Sequence, residues 1–183
     1  MAKIILITGG SRSGKSTYAQ RMAESISGDR TFIATCPVID KEMEVRIRKH
    51  REARRAGNWQ TVEETIDLAS AIQEASGGSV ILIDCLTLWV NNLMYDAGLQ
   101  DGEISEEDIV VQCRKILDVC REISGTVIFV TNEVGMGIVP DNALSRRYRD
   151  LAGRCNQVMA DGADAVVFIV SGLPLNIKGE ITE

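Results

Sequence analysis

Short runs of apolar residues, separated by longer segments of mixed character, form the clearest pattern along this chain. Each run is almost continuously apolar, which is typical of strands in a parallel sheet that is covered on both faces. The segments between them favour helices, so the pattern predicts an α/β fold with a mainly parallel sheet. The predicted strands are residues 4–8, 31–34, 80–84, 126–131 and 165–170.

The sequence marks the predicted helices with different strength. Residues 106–123 give the strongest signal, because apolar residues recur on one helical face and Ser105 stands at the N-cap position. Asn142 is a second predicted N-cap, and residues 86–94 are apolar enough to belong to the core. Residues 171–183 show little pattern, and no element is predicted there. The predicted helices are residues 15–27, 40–55, 66–75, 86–94, 106–123 and, from Asn142, to about 161.

Composition indicates one ordinary globular domain and narrows the range of partners. The 183 residues are 45% hydrophobic and 25% charged, and the formal net charge of −6 argues against a general nucleic-acid binder. No apolar run has the length of a membrane span, and the start of the chain shows no signal-peptide pattern. Five cysteines without a C-x-x-C pair indicate reduced thiols. We therefore expect a cytoplasmic protein.

A glycine-rich segment between the first predicted strand and the first predicted helix carries the strongest chemical signal. It fits the phosphate-loop pattern G-x-x-x-x-G-K-[ST], in which backbone N–H groups and a helix N-terminus hold phosphate. Lys15 is expected to reach the β- and γ-phosphates, and Ser16 to hold Mg²⁺. A glycine- and serine-rich turn that fits by chance is the alternative, but the flanking strand and helix stand against it. The phosphate loop consists of Gly9, Gly10, Ser11, Arg12, Ser13, Gly14, Lys15 and Ser16.

The predicted strand at residues 80–84 ends in an acid, Asp84, after four apolar residues. This is the usual Walker B arrangement, in which a carboxylate at the carboxyl end of a strand holds Mg²⁺ directly or through water. Because many buried strands end in aspartate, this pattern alone is weak evidence for a metal site. The phosphate loop in the same chain is the main reason to infer one. Together they predict a metal-related role for Asp84.

Residues 46–55 hold six basic side chains, one acid and His50, the only histidine of the chain. Such a segment is a solvated helix face, an anion site beside a triphosphate, or a nucleic-acid patch. Only one aromatic, Trp59, is near enough in sequence to stack on a base. The surrounding cations favour a neutral imidazole, which is a competent nucleophile toward phosphorus or a general base. On these grounds a catalytic histidine and a plain surface histidine both stay open.

A polar, glycine-containing loop at residues 131–140 follows the fourth predicted strand. Ligands of α/β sheets bind outside the carboxyl ends of the strands, where this loop must lie. An ordinary strand-to-helix connection is the simplest interpretation. The length of the loop and its mixed apolar character favour instead a binding loop for a bulky partner.

Taken together, these motifs resemble one enzyme family over nearly the whole chain and in one order. The histidine block and the loop after the fourth predicted strand are the most specific parts, because phosphate loops occur in many families. The resemblance is to the bifunctional adenosylcobinamide kinase / adenosylcobinamide-phosphate guanylyltransferase of cobalamin biosynthesis. The matching segments are residues 8–16, 33–35, 40–51, 59–63, 131–140 and 149–157.

The resemblance implies a RecA-like phosphate-loop fold, a homotrimer and two reactions. In the first, ATP or GTP with Mg²⁺ phosphorylates the aminopropanol hydroxyl of adenosylcobinamide. In the second, GMP passes from GTP to that phosphate through a GMP–histidine intermediate, giving adenosylcobinamide-GDP and pyrophosphate. His50 matches the histidine of the family, and Lys15 is the catalytic lysine of the phosphate loop.

The nucleotide contacts of the family also map onto this chain. The resemblance implies that Arg51 and Arg54 neutralise charge as pyrophosphate leaves, and that Glu63 accepts hydrogen bonds from ribose or guanine. The chain lacks an N-K-x-D guanine motif, and it has Arg55-Ala56-Gly57 where family members often have Arg-Pro. Besides the phosphate loop, the implied nucleotide contacts are Thr35, Cys36, Pro37, Arg51, Glu52, Ala53, Arg54, Glu63 and Asp84, and the implied metal ligands are Ser16 and Asp84.

Two other functional classes compete with this interpretation. A small-molecule kinase without covalent transfer would use His50 and its neighbouring arginines as a lid. A RecA-type nucleic-acid motor or binding module would show salt-dependent binding to DNA or RNA, and the acidic balance of the chain disfavours it.

Overall fold

The structure is a computed structural model that describes residues 1–37, Glu52 and residues 57–180. The predicted helix at 40–55 therefore lies outside the described residues, except for Glu52. The strands are β1 (Lys3–Gly9), β2 (Arg30–Ala34), β3 (Trp59–Glu63), β4 (Val80–Asp84), β5 (Thr126–Val130), β6 (Ala165–Val170) and β7 (Leu173–Lys178). The helices are α1 (Lys15–Ser25), α2 (Leu68–Glu74), α3 (Leu86–Leu99), α4 (Glu106–Glu122) and α5 (Ala143–Gly162), and Val134–Met136 form a 3₁₀ turn.

The described strands form one seven-stranded sheet in the order β3-β2-β4-β5-β1-β6-β7. All neighbouring strands are parallel except β6 and β7, which form an antiparallel hairpin at one edge. The strand that leads into the phosphate loop, β1, lies between β5 and β6. The predicted α/β fold with a mainly parallel sheet is therefore confirmed.

The predicted apolar runs are strands because both faces of the sheet are covered. Ile4 and Leu6 of β1 pack on the side of α2 to α5, whereas Ile5 and Ile7 pack on the side of α1. Consecutive side chains of a strand point to opposite faces, so a strand buried on both sides needs an unbroken apolar run. Burial of this kind supplies most of the free energy that favours folding.

The predicted caps and the predicted apolar helix face are confirmed. Ser105 and Asp108 form a capping box at the start of α4, and the Asn142 side chain accepts a hydrogen bond from the Ser145 amide at 2.8 Å. Trp89 of α3 is buried, as predicted. The apolar face of α4 is buried at Ile109, Cys113, Ile116, Leu117 and Cys120.

Two strands were missing from the sequence prediction, and one helix is longer than predicted. Neither β3 nor β7 shows a continuous apolar run, because both are edge strands with exposed side chains. Helix α3 continues to Leu99 instead of ending near residue 94. In the described part of the chain, no helix combines the length and the apolar composition needed to cross a membrane.

Candidate active site

The phosphate loop links β1 to α1 in the predicted order. Gly14 is the N-cap of α1, with φ 93° and ψ 4°, and its carbonyl accepts the Tyr18 amide at 3.0 Å. A left-handed conformation of this kind favours glycine. Gly14 has no side chain with which to cap the helix, so the first amides of α1 are available to an anion.

Gly9 is required by close packing as well as by its backbone conformation. Its φ is 154°, and a Cβ atom there would lie 2.6 Å from the Ile169 carbonyl oxygen and 2.8 Å from Ser13 Oγ. The Gly9 carbonyl accepts the Glu133 amide at 3.2 Å. The start of the loop is therefore fixed by β6 on one side and by the segment after β5 on the other.

The residues inside the loop fit a bound phosphate group. Ser13 Oγ is buried and has no hydrogen-bond partner among the described residues. A buried hydroxyl without a partner costs free energy, which a phosphate oxygen can recover. Lys15 Nζ donates to the Gly10 carbonyl at 3.0 Å, so its charge is held over the loop. The loop residues Ser11 and Arg12 are exposed, and Arg12 adopts φ 57°.

The acid predicted to assist the metal lies at the same edge of the sheet. Asp84 ends β4, in register with Ala34 of β2 and Val130 of β5. Burial raises the pKa of the Cys85 thiol to about 11, the Asp84 charge adds to this rise, and the Lys15 charge opposes it. Because β1 and β4 both pair parallel with β5, the phosphate loop and the end of β4 lie at the same edge of the sheet.

A magnesium ion at this edge would need oxygen atoms from the nucleotide. Ser16 is the second residue of α1 and is partly exposed. Among the described residues, no group of three or more His, Cys, Asp or Glu side chains is arranged to hold a metal ion. Mg²⁺ is commonly bound by one or two protein ligands, water and substrate phosphates. Ser16 and Asp84 stay the predicted protein ligands.

Thr35 joins the ends of β2 and β4 and does not offer a free hydroxyl. Thr35 is fully buried, and its Oγ1 accepts the Cys85 amide at 2.7 Å and donates to the Cys85 carbonyl at 2.8 Å. The Thr35 amide donates to the Asp84 carbonyl at 3.3 Å. Cys36 and Pro37 follow at the same edge and are half-buried. These hydrogen bonds hold Thr35, the first residue after β2, beside Asp84 at the end of β4.

Glu63 also ends at this edge, but farther from the phosphate loop. It is exposed at the end of β3, in register with Ala34. Because β3 is the edge strand on the far side of β2, three strands separate it from β1. Trp59, at the start of β3, packs edge-on against Phe32 with ring centroids 6.2 Å apart, and its indole N–H donates to Glu24 at 3.2 Å. Trp59 therefore packs in the local core and does not form a surface on which a base could stack.

His50, Arg51, Ala53 and Arg54 lie outside the described residues, whereas Glu52 is helical and exposed. Their roles stay predictions.

A largely buried polar network beside the phosphate loop had no role in the sequence prediction. It includes Glu133 and Asn156, which lie inside two segments that resemble the family. Sequence motifs could locate these residues, but only the folded chain shows that they meet. The network consists of Thr8, Thr87, Thr131, Asn132, Glu133 and Asn156.

The β6–β7 hairpin also contacts the phosphate loop. The Gly172 amide donates to the Ser13 carbonyl at 2.8 Å. Ser171 and Gly172 form the two-residue turn with φ 52° and 82°, which is the left-handed geometry of a tight hairpin. The Ser-Gly pair was the available signal for this turn.

The comparison with protein families identifies the family of this chain. The model of the family described as cobinamide kinase / cobinamide phosphate guanyltransferase matches residues 5–177. The chain belongs to this family. The match spans the phosphate loop, Asp84 and the polar network.

Curated relatives agree with this membership over almost their whole length. The bifunctional adenosylcobalamin biosynthesis protein CobP of Pseudomonas aeruginosa is 43% identical, over 96% of this chain and 97% of that protein. Two proteins named bifunctional adenosylcobalamin biosynthesis protein CobU, from Escherichia coli and Salmonella typhimurium, are each 40% identical, over 96% of this chain and 99% of theirs.

A solved structure supports a RecA-like fold for this chain. A KaiC-like protein from Pyrococcus horikoshii superposes with a TM-score of 0.52, covering 91% of this chain and 70% of that one. The two are only 16% identical, so the likeness concerns the fold alone.

Proposed function

We propose that this chain phosphorylates adenosylcobinamide and then transfers GMP from GTP to the resulting adenosylcobinamide phosphate. The observation that carries the proposal is the family match over residues 5–177, which includes an intact phosphate loop. The products of the second step are adenosylcobinamide-GDP and pyrophosphate. One triphosphate-binding loop serves both steps, since each step starts from a bound nucleoside triphosphate.

The proposed nucleotides are GTP for guanylyl transfer and ATP or GTP for the kinase step, each with Mg²⁺. Lys15 and the amides at the start of α1 hold the phosphates, and Ser13 Oγ supplies an unused donor. Ser16 and Asp84 are the proposed metal ligands. The bound ion would neutralise charge that develops on the phosphate oxygens.

The proposed second step is covalent and uses His50. A nitrogen of the imidazole attacks the α-phosphorus of GTP, the bond from that phosphorus to the bridging α,β-oxygen breaks, and pyrophosphate leaves with the electron pair. An oxygen of adenosylcobinamide phosphate then attacks the same phosphorus, and the phosphorus–nitrogen bond breaks to restore His50. Arg51 and Arg54 are proposed to neutralise the departing pyrophosphate.

The loop between β5 and α5 is the proposed contact for the corrinoid. It follows a strand at the edge where the phosphate loop lies, and its side chains Met136, Ile138 and Val139 are exposed. Exposed apolar side chains at a ligand-binding edge suit a large, partly apolar substrate. A homotrimeric state and a cytoplasmic location complete the proposal, with no nucleic-acid partner.

Product analysis tests this proposal directly. The protein is mixed with Mg²⁺, GTP and adenosylcobinamide, or with adenosylcobinamide phosphate made beforehand. We expect adenosylcobinamide-GDP from both substrates, and adenosylcobinamide phosphate as a transient product of the first. A chain that stops at adenosylcobinamide phosphate would be a simple kinase, and one that modifies neither corrinoid would refute the proposal.

A further inference from the structure

Glu133 lies beside the phosphate loop, held there by its own backbone. Its amide donates to the Gly9 carbonyl at 3.2 Å, and two residues earlier the Thr131 amide donates to the Ile7 carbonyl at 2.9 Å. The segment after β5 therefore continues along β1 up to the first residue of the loop. The Glu133 side chain is partly exposed at this edge.

Two hydrogen bonds fix the orientation of the Glu133 carboxylate. Its Oε1 accepts from Thr8 Oγ1 at 2.8 Å and from Asn156 Nδ2 at 3.1 Å. The Asn156 amide is fixed in turn, because its Oδ1 accepts from Thr131 Oγ1 at 2.6 Å. Oε2 makes no hydrogen bond with any described residue, so a substrate can use it.

Among the described carboxylates at this edge that the sequence analysis considered, Glu133 is the best placed to act at the γ-phosphate of a bound nucleotide. Asp84 suits the metal, and Glu63 ends β3, which three strands separate from β1. Glu133 follows β5, which is the direct neighbour of β1.

The two acceptors of the proposed reactions differ in one proton. In the kinase step the acceptor is a hydroxyl, which must lose a proton as its oxygen bonds to phosphorus. In guanylyl transfer the acceptor is a phosphate oxygen that is already ionised. A general base is therefore needed in the first step and has no proton to remove in the second.

We propose that Glu133 is the general base of the kinase step and that Thr8 and Asn156 are its positioning residues. The acceptor oxygen bonds to the γ-phosphorus, the bond to the β,γ-bridging oxygen breaks, and the nucleoside diphosphate leaves with the electron pair. The hydroxyl proton passes to Glu133 Oε2. This inference rests on the kinase half of the proposed function.

Glu133→Gln separates this role from a structural one. The glutamine amide oxygen can accept the same two hydrogen bonds from Thr8 and Asn156, so the fold of the loop is preserved, but the amide cannot take a proton. Both half-reactions are measured separately, with Glu122→Gln at the exposed end of α4 as the matched control.

The inference predicts a loss confined to the kinase step. We expect phosphorylation to fall roughly 10²- to 10⁴-fold in Glu133→Gln. Guanylyl transfer to preformed adenosylcobinamide phosphate should change less than about threefold, because that acceptor needs no base. Glu122→Gln should resemble the wild type in both assays.

Two outcomes would overturn the inference. A kinase step that stays within a few-fold of the wild type would mean that the carboxylate is not the base. An equal loss in both half-reactions would mean that Glu133 only supports the phosphate loop. Absence of phosphorylation by the wild-type protein would instead refute the proposed function, so the two failures are distinguishable.

Discussion

At the scale of single residues, the phosphate loop begins at a glycine, Gly9, that has no space for a side chain. Gly9 adopts φ 154° and faces the Ile169 carbonyl, so a methyl group there meets backbone as well as the Ser13 hydroxyl. Gly153, in the middle of α5, is the opposite case, because nothing lies within 4 Å of a Cβ placed there. The two glycines form a matched pair for mutation.

Gly9→Ala is expected to impair both half-reactions, whereas Gly153→Ala is expected to leave them intact. The added methyl group must displace the start of the phosphate loop, and a misplacement near 1 Å costs roughly 10²-fold in rate. In Gly153→Ala the helix should gain about 1 kcal/mol from helix propensity. Steady-state rates and thermal unfolding of both variants check this. Full activity in Gly9→Ala would contradict the required close approach.

The Ser13 hydroxyl shows what sequence reasoning could and could not supply at this scale. Its place in the phosphate-loop pattern follows from the spacing of Gly9, Gly14 and Lys15 alone. That its oxygen is buried without a partner follows only from the packed loop. The same holds for Glu133, which the motif contains but whose link to Thr8 spans 125 residues.

At the scale of elements, short helices depend on their caps. Helix α2 has seven residues, and its N-cap Asp67 accepts the Ser70 amide at 3.3 Å and the Ser70 hydroxyl at 2.7 Å. The hydrogen bond from the Ser70 side chain is the main cause that lowers the pKa of Asp67 below its ordinary value of 3.8. The cap is therefore strongest when Asp67 is ionised.

Asp67→Ala is expected to lower the free energy of unfolding by about 1 kcal/mol at neutral pH. Above pH 3.8 Asp67 is ionised in the folded and unfolded states, so the wild type keeps the whole advantage. As the pH falls through 3.8 toward the lower pKa of the folded state, the advantage is lost and the two proteins converge. Urea unfolding at several pH values measures this, with Asp118→Ala in α4 as the control. A difference that stays constant into acid would contradict the cap.

The elements also show which patterns a sequence can reveal. The five buried strands were predicted because burial on both faces demands continuous apolar runs. In β7 every residue is exposed, and Leu173, Leu175 and Ile177 alternate with polar residues and proline. The sequence therefore has apolar residues at every second position, as a strand often does. Because neither face of β7 is buried, this alternation did not correspond to a buried and an exposed face. In β3, the short run at residues 59–63 is mostly polar, and its pairing with β2 is a tertiary effect.

At the scale of the whole molecule, the parallel sheet collects the chemistry on one edge. The carboxyl ends of β1, β4 and β5 bring together Lys15, Asp84 and Glu133, which are distant in sequence. The chain leaves β2 at this same edge through Thr35 and Pro37. This topology supports the proposal that one bound triphosphate serves both reactions, attack by the substrate hydroxyl on the γ-phosphorus and attack by His50 on the α-phosphorus.

Covalent labelling tests whether His50 attacks the α-phosphorus of the bound GTP. The protein is incubated with Mg²⁺ and GTP labelled at the α-phosphate, denatured, and analysed for attached label. The wild type should keep label that is labile in acid and stable in base, as expected for a phosphorus–nitrogen bond. His50→Ala, with an unchanged thermal unfolding curve, should keep none. Equal labelling of His50→Ala, or no label on the wild type, would contradict a GMP–His50 intermediate.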